Sequence, residues 1–164
     1  MKTFYLVRHA KSSWANPGWM DIERPLNGRG KRDAPFMAKK LKELDPGIEL
    51  LITSPAKRAK ITAKIFSKEI FGERRLQIED DLYHASAEDI ISVIKSIDED
   101  VDIAAIFGHN PGFTYLANYF SEEYISNVPT TGIVGVQINS GSWANFDIEE
   151  CKFTHFIYPK YFQI

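Results

Sequence analysis

The sequence predicts a three-layer α/β/α sandwich with a mostly parallel central sheet. Two observations carry this expectation. Strand-like and helix-like patterns alternate from one end of the chain to the other, as they do in layered α/β domains. The chain has 164 residues, 44% of them apolar, which is close to one domain unit and enough to bury about 70% of the unfolded surface. A single domain over residues 1–164 is therefore expected.

The elements follow in order. Thr3 to Arg8 is a short apolar, aromatic and β-branched run that reads as a buried strand. Residues 10–30 are polar and contain Asn16-Pro17-Gly18 and Asn27-Gly28. This connection is long for a compact domain, and such length points to function. Ala34, Met37, Ala38, Leu41 and Leu44 then recur at helical spacing, with Pro35 expected in the first turn or at a kink. Ile48 to Thr53 is a second strand. Ser54-Pro55 supplies a capping oxygen and a proline, so a helix is expected to start there, with Ala56, Ala59, Ala63, Phe66 and Ile70 facing inward. Leu76 to Ile78 is a weaker strand candidate. Ser86, with Asp89 three residues on, opens an amphipathic helix to Ile97 through a near capping box. Val101 to Phe107 is a strong strand that runs into Gly108-His109-Asn110-Pro111, where Asn110 can cap a helix reaching Tyr119. Ile133 to Ile138 and Phe153 to Tyr158 are the last two strands.

Composition excludes several classes. The 20 Lys and Arg against 22 Asp and Glu give a net charge of −2, unlike a disordered tail or a basic nucleic-acid domain. Lysine-rich stretches such as Lys57 to Lys64 fall on outer helix faces, so no nucleic-acid partner is expected. Cys151 is the only cysteine, and His9, His84, His109 and His155 lack metal-ligand spacing. No metal and no cofactor are expected. The apolar run at the N-terminus stops at Arg8, short of a signal peptide. The uncharged stretches 103–121 and 124–146 carry too many polar residues to span a bilayer. A reducing, cytoplasmic setting without membrane partners is expected.

Three positions share one local setting. Arg8 and His9 end the first strand, Arg58 lies in the first turn after the second, and His109 ends the strand that begins at Val101. In open α/β sheets, ligands bind at the carboxyl ends of strands, so these groups should meet on one rim. Helix N-termini opening at the same rim favour an anion such as phosphate.

Arg8-His9-Ala10, Ser54-Pro55-Ala56-Lys57-Arg58-Ala59 with Thr62, and Gly108-His109-Asn110-Pro111 together resemble the histidine phosphatase superfamily, also called phosphoglycerate mutase-like. The resemblance covers the whole chain. Arg24-Pro25-Leu26, Arg29-Gly30 with Asp33-Ala34, Thr130-Thr131-Gly132 and the lack of a long helical insertion are most similar to its short SixA-type phosphohistidine phosphatases.

The resemblance implies that His9 is a nucleophile forming a covalent phosphohistidine, and that His109 donates a hydrogen bond to the transferring group. Arg8 and Arg58 can grip phosphoryl oxygens with a planar fork and, as neighbouring cations, keep His9 unprotonated. Ser12 matches a phosphate-binding position, while Asn16 stands one residue later than the asparagine typical of the mutases. Asn110 and Thr131, in the other matching segments, are further candidates for substrate binding. Larger members use a carboxylate as general acid; Asp81 is the preferred candidate here, although Glu79-Asp80-Asp81 is also an ordinary solvated acidic turn. Ala10 replaces a common glycine. Trp14, Trp19 and Tyr83 could line the mouth, or serve as core. The partner expected is a phosphorylated protein, phosphohistidine in particular, or a small phosphate ester. A catalytically silent phospho-ligand binding module is the alternative from another class.

Overall fold

A computed structural model describes residues 1–164. The strands are β1 (Lys2–Arg8), β2 (Leu50–Thr53), β3 (Gln77–Ile78), β4 (Ile103–Gly108), β5 (Ile133–Ile138) and β6 (Cys151–Ile157). They form one sheet in the order β3-β2-β4-β1-β5-β6. The first four strands in that order run parallel, while β5 and β6 continue the sheet antiparallel from β1. The helices are α1 (Gly28–Leu44), α2 (Lys57–Phe71), α3 (Ala87–Lys95) and α4 (Gly112–Phe120).

Alternation along the strands divides the core into two layers. Phe4, Leu6, Ala104 and Ile106 face one side, where Ile90, Val93 and Ile94 of α3 and Phe113, Leu116 and Ala117 of α4 pack on them. Tyr5, Val7, Ala105 and Phe107 face the other side, against Met37, Ala38 and Leu41 of α1 and Ala63 and Phe66 of α2. Because both faces are covered, the central strands read in sequence as apolar runs.

This arrangement creates a switch point. β1 and β4 are neighbours, yet the chain leaves β1 for α1 on one face and leaves β4 for α4 on the other. The two connections diverge and open a crevice at the carboxyl ends of those strands, where a ligand fits without displacing a helix. In register, Arg8 pairs with Gly108, and Thr53 pairs with Phe107. His9, His109 and Ser54 are therefore the next residues along three adjacent strands.

Local expectations change at three helix starts, and α4 begins at Gly112 with Pro111 rather than Asn110 at its N-cap. α1 begins at Gly28, capped by Asn27 accepting from the Gly30 amide, which leaves Pro35 in the helix interior. The apolar stripe at Ala34 is simply its second turn. α2 begins at Lys57, with Ala56 rather than Ser54 at its N-cap. The Ser54 hydroxyl has another partner, described below.

Candidate active site

Arg8, His9, Arg58 and His109 line one cavity of about 250 Å³ at the rim, with Lys11, Ser12, Trp14, Arg24, Asn110 and Thr130. The His9 and His109 rings lie 5.2 Å apart, centre to centre. His9 is held at both ends of its backbone: its amide donates to the Gly108 carbonyl at 3.0 Å, and its own carbonyl accepts from Thr131 at 3.1 Å. The Thr131 amide also reaches the Arg8 carbonyl, at 3.0 Å.

The side-chain nitrogens are unequal in their hydrogen bonding. His9 Nδ1 lies 2.7 Å from the Ala10 carbonyl. A carbonyl only accepts, so Nδ1 carries the hydrogen and Nε2 keeps its lone pair. Arg8 donates from Nη1 to the Val128 carbonyl at 2.9 Å, while its buried Nε has no partner. Arg58 donates from Nη1 to the Asp21 carbonyl and from Nη2 to Asp21 Oδ2, at 2.7 and 3.0 Å, and its buried Nε is likewise free. His109 Nδ1 is buried and unpartnered as well. Buried polar atoms without partners are uncommon in folded proteins. Here three of them belong to residues that line one cavity.

The cavity is cationic but its histidines are neutral. Burial lowers the His9 pKa to about 3, despite the hydrogen bond to Ala10, which acts in the opposite direction; His109, Arg58 and Arg8 add to the lowering. His109 is also lowered to about 3, by burial first and then by Arg58, with Asp21 opposing. The guanidinium charges contribute to both shifts. Desolvation exceeds them because both rings are largely withdrawn from water, which disfavours the imidazolium form.

The expected ancillary residues divide. Ser12 lines the cavity, with its Oγ accepting from Arg24 Nη1 at 2.7 Å. Asn110 also lines it, but its amide is used internally, donating to Asn127 and Val128 and accepting from Thr114. Thr131 is wholly buried in a left-handed conformation (φ 61°) and acts through its amide on the Arg8-His9 strand end; Thr130 is the residue on the cavity wall. Asn16 lies outside the cavity, where its side chain accepts from the Gly18 amide and shapes an exposed turn. Asp81 is exposed and lines neither this cavity nor the groove beside it, because the 3-10 turn from Asp80 to Leu82 buries Leu82 and leaves the acids in water. Trp14 lines the cavity with its ring stacked on the Arg24 guanidinium at 3.6 Å, and Trp19 does not.

The carboxylate at the rim is Asp21, which sequence reasoning missed. It accepts from Arg58, from Arg24 Nε at 3.2 Å and from the Tyr83 hydroxyl at 2.6 Å. Burial raises its pKa, but these donors outweigh burial and hold the carboxyl well below the usual range. Asp21 and Arg24 arrive on the long connection after β1, whose arms close on each other through a Ser12–Leu26 bridge and the Ser13–Pro25 hydrogen bond. Gly30 lets this loop sit against α1, since a Cβ there would run into the Lys11 carbonyl. Beyond Arg58 and His109 the cavity opens into a groove of about 950 Å³ edged by Tyr83, His84, Tyr115, Tyr119 and Tyr124. Among all residues, no cluster of three or more His, Cys, Asp or Glu is placed to hold a metal ion, and no helix is long and apolar enough to cross a membrane.

A doubly wound sheet with paired histidines and arginines at its switch point defines a class, and comparison with known proteins names it. Residues 4–90 match the model of the histidine phosphatase superfamily (branch 1), and the chain belongs to that family. Within it, the protein has the short SixA-type form. A structure from Agrobacterium tumefaciens, named as a candidate phosphohistidine phosphatase SixA, is 26% identical and superposes with a TM-score of 0.80 over 96% of this chain and 98% of that one. The protein histidine phosphatase SixA solved with tungstate shares the fold, with a TM-score of 0.81 at 21% identity over 98% and 99% of the two chains. Sequence relatives include an uncharacterised protein of Mycobacterium leprae, 28% identical over 94% of this chain and all of that protein. Another is an uncharacterised chloroplastic protein of Arabidopsis thaliana, 30% identical over 84% of this chain and 67% of that one.

Proposed function

We propose that the protein hydrolyses phosphohistidine on a protein substrate through a covalent phosphoenzyme at His9. The observation that carries this reading is the set of unpartnered nitrogens around one small cationic cavity, beside a His9 Nε2 that bears a lone pair. In the first step Nε2 attacks phosphorus in line, the bond from phosphorus to the substrate nitrogen breaks, and the departing imidazole takes a proton from water. In the second step water attacks the phosphorus on His9, releasing phosphate and restoring Nε2. Arg8, Arg58 and His109 stabilise the equatorial oxygens in both transition states. Charge neutralisation by two guanidinium groups gives the reaction its electrostatics with no metal ion in the scheme.

The protein substrate is favoured by the site's shape. The groove beside the cavity is open and tyrosine-edged, which suits a side chain presented from a folded partner better than a metabolite that must be enclosed. An imidazole leaving group also needs little help from a carboxylic acid. That agrees with the carboxylate that Arg58 and Arg24 engage, Asp21, being held ionised by its donors. A small-molecule phosphomonoesterase is the rival within the same chemistry.

Mixing the enzyme with labelled substrate and quenching in acid or alkali tests the first step; label on His9, stable to alkali, is the expected result. A substrate panel of phosphohistidine peptide, sugar phosphates and nucleotides tests the second claim. Higher kcat/KM on a sugar phosphate would move the assignment to a metabolite phosphatase. Binding of phospho-ligand without turnover would make the protein a recognition module.

A further inference from the structure

We propose that Ser54 is a positioning residue that sets the tautomer of His109, so that this ring meets a phosphoryl group with an N–H and not with a lone pair. The inference rests on the phosphoenzyme reading above and adds to it the placement of one proton.

Ser54 Oγ lies 2.7 Å from His109 Nε2. Ser54 is fully buried, so its hydroxyl hydrogen must find an acceptor inside the protein. The only other group bonded to Oγ is the Ala56 amide, at 3.2 Å, which is itself a donor. Nε2 is therefore the acceptor, and it carries the lone pair. A neutral imidazole holds a single N–H, which must then sit on Nδ1. That atom is buried and has no partner in the protein.

Geometry gives this orphan donor a purpose. His109 stands between Ser54, at the end of β2, and His9, at the end of β1, because β4 is the strand between those two. With its Nε2 edge engaged by Ser54, its other edge is left for the His9 side, 5.2 Å away between ring centres. A phosphoryl group on His9 Nε2 presents acceptor oxygens to this neighbouring ring. An Nδ1–H would bond them, whereas an Nδ1 lone pair would repel them. The two histidines thus hold their hydrogens on the same ring nitrogen for opposite purposes. The Ala10 carbonyl leaves His9 a free lone pair for attack, and the Ser54 hydroxyl, 55 residues away in sequence, leaves His109 a free donor.

Nitrogen-15 NMR of the histidine rings tests the proposal on the intact protein without any substrate. In the wild type at neutral pH, His109 should show a protonated Nδ1 and an unprotonated, hydrogen-bonded Nε2. A His109 protonated at Nε2 overturns the proposal, whatever the outcome of the phosphoenzyme experiment. In Ser54→Ala the Nε2–H form of His109 should appear while the His9 tautomer, fixed by Ala10, stays as it was. The affinity of the folded variant for inorganic phosphate should fall about tenfold, the equivalent of one lost hydrogen bond. Wild-type phosphate affinity in that variant would overturn the proposal. If Ser54→Ala does not fold, the wild-type spectrum decides alone. Absence of labelled phosphoenzyme would sink the phosphatase reading and leave the tautomer result standing.

Discussion

The two ends of the central sheet both bury cations, and they treat them in opposite ways. At the amino end, Lys2 is only 4% exposed, and its ammonium donates to the Glu99 and Val101 carbonyls and to Asp102 Oδ1, at 2.6, 3.0 and 2.9 Å. Beside it, Glu99 accepts from the Trp143 and Ala144 amides and from Ser142, which lower its pKa. Every hydrogen of Lys2 has a partner. At the carboxyl end, Arg58 is also buried and Arg8 half-buried, but each leaves its buried Nε unpartnered, as His109 leaves Nδ1. A satisfied buried charge is explained by the fold that surrounds it. An unsatisfied one implies a partner that comes and goes.

Mutations at the two ends should therefore separate activity from stability. His9→Ala removes the proposed nucleophile and should abolish turnover in a steady-state assay, with a folded protein by circular dichroism; retained wild-type turnover would refute the assignment. Arg58→Ala should lower kcat/KM by about 10²-fold or more through lost charge stabilisation. A loss confined to thermal stability would place Arg58 with Lys2 as a structural cation. Lys2→Ala should do the reverse, costing about 1–3 kcal/mol in denaturant unfolding while kcat/KM is unchanged. Asp81→Asn should change neither quantity, and its pH–rate profile should keep the wild-type acid limb, because the carboxylate faces water away from both cavities.

Proton linkage sharpens the same contrast. His9 and His109 titrate near 3 in the folded protein and near 6.5 when unfolded. Between those values the unfolded chain binds more protons, so the stability these rings share in neutral solution is complete above pH 6.5 and is lost as pH falls toward 3. The slope should approach about 1.4 kcal/mol per pH unit for each ring. Equilibrium unfolding at a series of pH values should show a shallower slope in His109→Phe. A His9 or His109 midpoint near 6.5 in an NMR titration would show that burial does not govern the site.

Much of this was legible in the chain. Phe4 to Val7 and Ala104 to Phe107 are continuous apolar runs because α1 and α2 cover one face of the sheet and α3 and α4 the other. Arg8, His9, Arg58 and His109 could be placed on one rim because each is local to the end of such a run. The residues that were missed or misplaced lack that local mark. Asp21 opens a short 3-10 turn within the long connection after β1 and meets Arg58 across 37 residues and Tyr83 across 62. Asn16 and Thr131 stand close in sequence to site residues, but backbone turns direct Asn16 to solvent and Thr131 to the interior. Ser54 carried a plausible capping signal, and only the neighbouring strand end could claim its hydroxyl for His109.

The sequence by itself determined the layers, the order of strands and helices along the chain, and the four groups at the strand ends, because hydrophobic period and strand-end position are local properties of a chain. The tertiary structure decided which carboxylate reaches the rim, which nitrogens remain free and where the protons sit. Those depend on the pairing of β1, β4 and β2 and on the closure of the loop after β1, contacts between distant segments that no local pattern encodes.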